Sequence, residues 1–209
     1  MAEERGGRSG WAIIVIVVGG LALLLLFGSR MLSASWDDAE DEAPAGPTRE
    51  LAGLWGTYQR AQMALTSAQE DAKLVSAASQ WQGVDGETLR SGRGEWTFVF
   101  YDAAEREALD VVVSGGSGQI VDRSRIWEAP ETLAEDIVYR GPGDAMAVFL
   151  AYGGEEFIVE YPEAIISAHL GVGDGGRPVW TVSAINIADR EVLSVAMDAE
   201  TNQVLSTSP

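Results

Sequence analysis

Residues 96–121, WTFVFYDAAEREALDVVVSGGSGQIV, and residues 180–205, WTVSAINIADREVLSVAMDAETNQVL, are two copies of one pattern. They align without a gap at an offset of 84 residues. Identities fall at Trp96/Trp180, Thr97/Thr181, Ala104/Ala188, Arg106/Arg190, Glu107/Glu191, Leu109/Leu193, Val111/Val195 and Gln119/Gln203. The alternation is in phase as well. Trp96, Phe98 and Phe100 match Trp180, Val182 and Ala184, and Leu109, Val111 and Val113 match Leu193, Val195 and Met197. Rows of period two predict half-buried antiparallel strands joined by turns. The end of the second copy, MDAETNQVL (residues 197–205), carries an Asp, a Glu, a Thr and an Asn that could form a metal loop, a carboxylate pair or a turn. In the first copy Ser114, Gly116 and Gly118 stand where the second has Asp198, Glu200 and Asn202. The carboxylates are not kept but turn-forming residues are, so the stretch reads as a hairpin.

Working outward, LVSA (74–77) and IISA (165–168) read as the first strand of each unit. A helix-like stretch precedes each of them. In the first, Thr48 caps a helix running to about Glu70, with Leu51, Leu54, Trp55, Tyr58 and Leu65 on one broad face. In the second, Asp144 caps AMAVFLAY and Gly153 ends it. The expectation is an α+β fold of two α-β-β-β units, their antiparallel sheets packed on helices and the two units arranged as a pseudo-symmetric pair.

The segment before the repeat has a different character. WAIIVIVVGGLALLLLF (11–27) has no charge and no Pro, and twelve of its residues are Ile, Val, Leu or Phe. These supply roughly −4 to −7 kcal/mol toward insertion. Extended to Ser29 as a helix, the run reaches about 28 Å, close to the hydrocarbon thickness. It reads as an uncleaved signal anchor. A cleaved signal peptide would be shorter and end in a small-x-small site, for which Ser33-Ala34-Ser35 is a mediocre match. Arg5 and Arg8 precede the run and only Arg30 follows closely, which places the N-terminus inside and the remainder outside. The expected organisation is a cytoplasmic N-terminus at 1–10, a transmembrane helix at 11–29 and an acidic, Pro/Gly-containing linker at 30–47. A first unit at 48–122, a connector at 123–143 and a second unit at 144–209 complete it.

Charge and composition narrow the function classes. The 209 residues hold 32 acidic and 14 basic side chains, a net charge of −18, and Lys73 is the only lysine. Phosphate backbones require clustered Lys and Arg, so nucleic-acid binding is excluded as an expectation. With no cysteine there is no disulfide, thiolate ligand or thiol nucleophile. Asp37, Asp38, Glu40, Asp41 and Glu42 lack the spaced ligands and turn Gly of a calcium loop, and read as a solvated spacer.

The second unit resembles the PepSY family: a helix, a strand, then W-x-V at Trp180 and Val182, then a hydrophobic strand closing on the family's VDA-x-TG-x-VL ending. Here that ending is Met197-Asp198-Ala199-Glu200-Thr201-Asn202-Gln203-Val204-Leu205, with Asn202 where the family has Gly. The first unit joins through the internal repeat. The resemblance implies a small antiparallel sheet against a helix outside the bacterial cytoplasmic membrane, binding or restraining peptidases without catalysis of its own. It carries over no functional residue.

Side chains capable of chemistry are few. His169 is the only histidine. As a general base it would need a positioned Ser and a carboxylate. SGGSGQ (114–119) misses the nucleophile-elbow spacing by one residue and sits in a predicted turn. Glu155 and Glu156 read as solvated carboxylates beside Gly153-Gly154. Trp96 and Trp180, in phase with the inward rows, read as core anchors. Trp81, Trp127 and Tyr139, in segments that read as connections, are the candidate interface residues. The expected function is a membrane-anchored, non-enzymatic binding or regulatory module engaging an envelope protein or peptidase, with no metal and no cofactor. Alternatives are a solute-binding or sensor domain, and a hydrolase using His169.

Overall fold

The computed structural model describes residues 54–65 and 69–208, with the side chains of 139 and 140 left out. The predicted transmembrane segment, the linker and Thr48 therefore lie outside the described residues. No helix among those described is long and apolar enough to cross a membrane.

The fold is α+β and is built on one antiparallel sheet. Helix α1 (Leu54–Ala64) precedes β1 (Lys73–Gln82), a short α2 (Gly86–Ser91), β2 (Trp96–Asp102), β3 (Glu107–Ser114) and β4 (Ser117–Arg125). A 3-10 turn (Glu135–Arg140) leads into α3 (Gly143–Phe149), a π-type segment (Leu150–Gly154) and α4 (Glu155–Glu160). The second set of strands is β5 (Ile165–Val172), β6 (Pro178–Asn186), β7 (Glu191–Asp198) and β8 (Val204–Ser208). Strand order is β4-β3-β2-β1-β5-β6-β7-β8, a palindrome of the repeat about the β1–β5 pair. Each unit thus has four strands instead of the expected three, and the two expected sheets are one. The missed strand follows from the hairpin itself, because the turn after β3 or β7 returns the chain along the edge.

The centre of the palindrome is a matched pair of strands. Ala78 lies opposite His169, and Ser79 opposite Ala168, in the β1–β5 ladder. With LVSA set over IISA, Ala78 and His169 are equivalent positions, so the pseudo-twofold axis passes between them. On the helix-covered face, between the repeat tryptophans, the two central strands present Ala77, Ser79, Ala168 and Leu170, all buried and three of them small. Over that shallow strip the repeat tryptophans meet: Trp96 and Trp180 are each 1% exposed and stand edge to face at 6.2 Å. Trp81 packs on Trp96 at 5.9 Å, and Tyr58 of α1 continues the chain of rings to Phe98 and Phe100, 5.9 Å from each. Met146 and Phe149 of α3 close the same core from the second unit.

The turns follow local chemistry. Gly115 and Gly116, with φ of 56° and 85°, make the two-residue β3–β4 hairpin that suits the strand twist. The β7–β8 connection is longer. Asp198 Oδ1 accepts the N–H groups of Glu200 and Thr201, and Asn202 carries the positive φ of 58°. Gly118, aligned with Asn202, is not the turn residue. It lies in β4, where a Cβ would stand 2.5 Å from the Arg60 carbonyl oxygen of α1. Arg106 and Arg190, identical in the repeat, both occupy the left-handed region, at φ 58° and 61°.

Of the expectations for the second helix, one is corrected and one is met. Asp144 does not cap α3; it lies inside the first turn, and its carboxylate accepts a 3.3 Å hydrogen bond from Asn202. Gly153, with φ 101°, does break the helix where expected, and a new helix, α4, follows it. The connector is also more structured than a linker. Leu133, Ile137 and Val138 are buried, and the Leu133 N–H donates to the Leu74 carbonyl at 2.7 Å, beside the β1 bulge. Helix α2 had a readable signal in DGETLRSG: Asp85 accepts the Thr88 N–H at 2.8 Å and Gly92 closes the helix in the left-handed region.

If the tryptophan pair joins the repeats, Trp96→Phe and Trp180→Phe will each destabilise the fold, by about 1–3 kcal/mol in urea unfolding. The double variant will show a coupling of about 0.5–1.5 kcal/mol. Strict additivity would mean that the two rings do not share an environment.

Candidate functional site

Of the expected interface residues, Trp81 is not at a surface. It belongs to β1 and is 6% exposed, its ring turned inward and its indole N–H donating to the Arg93 carbonyl at 2.6 Å. The alternation of β1 after its bulge puts Trp81 on the core side. Trp127 is the opposite case, 87% exposed just beyond β4, with the Arg125 guanidinium 6.0 Å from its ring centroid. Tyr139 lies in the 3-10 turn, and its side chain is outside the described residues. The three residues therefore do not form one site.

His169 lies on the face of the sheet opposite the helices. Ladder pairs align Val112, Thr97, Ala78, His169, Thr181 and Ala196 in one row across that face. A second row places Gln80, Ser167, Ser183 and Ser194 side by side, with the Ser183 and Ser194 hydroxyls 2.8 Å apart. This uncovered face is small and mostly neutral. Asp110 is the exception: burial, and then the charge of Asp122 directly opposite, holds its carboxyl above the usual range. Among the described residues no side-chain hydrogen bond to His169 is formed, and none of them assembles a Ser-His-carboxylate relay around it. Its ring is open to solvent on one side and pressed over Gly171 on the other, where a Cβ would come within 2.7 Å of Cε1. The packed side removes enough water to depress its pKa below that of a free imidazole, by desolvation alone.

The surface with the strongest local character lies where the second unit departs from the first. Helix α1 runs unbroken and approaches β4 closely at Gly118. Its counterpart α3 stops at Phe149. The turn at Gly153 and Gly154 then redirects the chain, since a side chain at Gly154 would strike the Phe149 ring at 2.4 Å. The resulting α4 buries none of its residues. Between α4 and the start of β7 it leaves a hollow of about 250 Å³ lined by Gly153, Glu156, Phe157, Glu160, Tyr161, Glu191, Val192 and Leu193. A second hollow of about 220 Å³ shares Glu160 and Tyr161 and runs along Pro162, Glu163 and Ala164 to Asn186, Ala188 and Asp189 of the β6–β7 turn.

Apolar and acidic groups are interleaved in this groove. Phe157 and Tyr161 form one wall with ring centroids 4.9 Å apart, and Val192 and Leu193 form the facing wall. Tyr152, Val159 and Ile187, on the segments that frame the groove, are 52%, 80% and 70% exposed. No lining residue is basic, while Glu156, Glu160, Glu163, Asp189 and Glu191 all contribute. The Tyr161 phenol reports this field: its pKa is raised by desolvation first, then by Glu160, Glu191 and Asp189. The neighbouring Glu155 faces elsewhere, 3.7 Å from Arg90, with both groups well exposed. Nothing in the sequence alternation announced this groove, although Gly153-Gly154 marked the break that creates it.

A depressed imidazole pKa has a definite linkage sign. The unfolded chain protonates His169 near pH ~6.5, before the folded chain does. Its contribution is therefore neutral above that pH and destabilising as pH falls through it toward the folded value. His169→Gln removes this term, so the variant will gain stability relative to the parent between pH 7 and pH 5 in thermal melts. A difference that does not change with pH would contradict the placement of the ring.

No protein-family model matches the chain, and no curated protein matches it. Among solved structures it is similar to a Clostridium difficile 630 protein described as a "putative lipoprotein", at 13% identity and a TM-score of 0.43. The match covers 75% of this chain and 98% of that one. A likeness at that distance carries no argument about activity or partners.

Proposed function

We propose that this chain is a membrane-anchored binding module that displays a tandem PepSY-like body outside the cytoplasmic membrane and engages an envelope protein, a peptidase among the candidates. The single observation that carries the reading is the groove beside α4. Exposed apolar side chains gathered at one place and rimmed by polar groups are the mark of a protein-binding surface. The apolar run at 11–29 and the asymmetry of flanking arginines support the anchor and its orientation. The ending at residues 197–205 supports the family reading, and through it the peptidase. Tethering raises the effective concentration of the module near other membrane proteins, so a groove of modest size suffices for binding.

The solute-binding alternative is less well served. Small-molecule pockets enclose roughly 300–1,000 Å³, whereas these hollows hold about 250 and 220 Å³ and are open to solvent. The hydrolase alternative has an imidazole beside which no nucleophile is positioned among the described residues.

The test is site-specific photocrosslinking of the full-length chain in its own membrane. A photoreactive residue at Val159 is expected to give a discrete product with another protein, lost when Phe157 and Tyr161 are both changed to Ala. The same probe at Thr181, on the open sheet face, serves as the comparison. Absence of any product from position 159, or substrate turnover abolished by His169→Ala, would overturn the reading.

A further inference from the structure

We propose that the α4 groove selects its protein partner by charge, seating a segment in which Lys or Arg alternates with apolar residues. This rests on the reading of the groove as a protein-binding surface and names the chemistry of its occupant. Three features of the groove lead there. The Phe157–Tyr161 wall offers aromatic faces on which an ammonium or guanidinium can rest. Glu156, Glu160 and Glu191 stand around that wall, Glu160 held by the Tyr161 hydroxyl, and place their carboxylates where a bound cation can meet them. The facing wall, Val192 and Leu193, supplies contact area for the apolar neighbours of the basic residue. The second hollow shares Glu160 and Tyr161 and carries Glu163 and Asp189, so the same chemistry continues along the groove to a second basic side chain.

The arrangement also speaks against the simpler occupants of an acidic surface. A divalent ion needs several oxygen ligands converging at one point. Among the described residues no group of three or more acidic or imidazole side chains is close enough to hold one. The carboxylates here are spread along an apolar floor, a spacing that fits side chains on a peptide. An acidic or neutral segment would leave the Glu160 and Glu191 charges facing like charge or unpaired desolvated surface, which costs affinity.

Fluorescence anisotropy with the full-length chain in mild detergent tests this. The probe is a short labelled peptide alternating Arg and Leu, compared with the same peptide carrying Gln or Glu in place of Arg. The Arg peptide is expected to bind and the other two are not. Glu160→Gln combined with Glu191→Gln should weaken binding about tenfold, and Phe157→Leu should weaken it while the chain stays folded at the assay temperature. Asp122→Asn combined with Glu128→Gln, away from the groove, should change nothing. If that distant pair weakens binding as much as the groove pair, the peptide is responding to net charge alone and the proposal fails. Displacement of the peptide by micromolar calcium would reassign the groove to a metal ion. If a crosslinked partner is found at Val159 but the Arg peptide does not bind, the binding-module reading stands and the charge preference falls.

Discussion

The contact between Trp96 and Trp180 depends on how little stands beneath it. Two large rings from β2 and β6 can touch only if the side chains of β1 and β5 between them stay low, and three of those four are small, Leu170 beside Trp180 being the fourth. Ala77, Ser79 and Ala168 meet this condition. A Phe at any of these three positions would crowd the tryptophans and disturb the core that the two units share. Because the rings meet, the inner rows of both repeats become a single apolar cluster, with helices α1 and α3 covering one side of it. Each ring buries a large area, and the edge-to-face geometry adds a favourable electrostatic term.

The same pairing fixes what the rest of the molecule offers. Joining β1 to β5 internalises the edges that two separate four-stranded sheets would expose, and leaves only β4 and β8 as borders. Among the described residues no helix covers the other face of the sheet, where His169 lies on the pseudo-axis opposite its repeat counterpart, Ala78. The two units then diverge where helix meets sheet. In the first, Gly118 lets α1 lie directly on β4. In the second, Gly153 and Gly154 turn the helix away and open an acidic, aromatic-walled groove. The functional reading rests on that divergence, whereas the fold rests on what the repeats share.

Much of the fold was legible because period-two alternation and a gapless repeat are strong signals. Trp96, Phe98 and Phe100 point inward as their rows require, and so do Trp180, Val182 and Ala184. The fourth strand of each unit was not legible. β4 and β8 are edge strands with largely exposed side chains, so no inward apolar row marks them. Trp81 was misassigned to a connection because the bulge near Leu74 shifts the alternation of β1. The groove was hidden for a different reason. Its carboxylates come from α4, from the segment after it and from the β6–β7 hairpin, and only the course of the kinked helix brings them together. Sequence showed the glycines of the kink but not the direction in which the chain leaves it.

The central claim is that the two repeats form one cooperative body through β1, β5 and the tryptophan pair. Native-state hydrogen exchange addresses it most directly. The account predicts that the slowest amides of β1, β2, β5 and β6 exchange with one common opening free energy, equal to that of global unfolding. Two distinct values, one for each repeat, would show that the units open independently and would contradict the account.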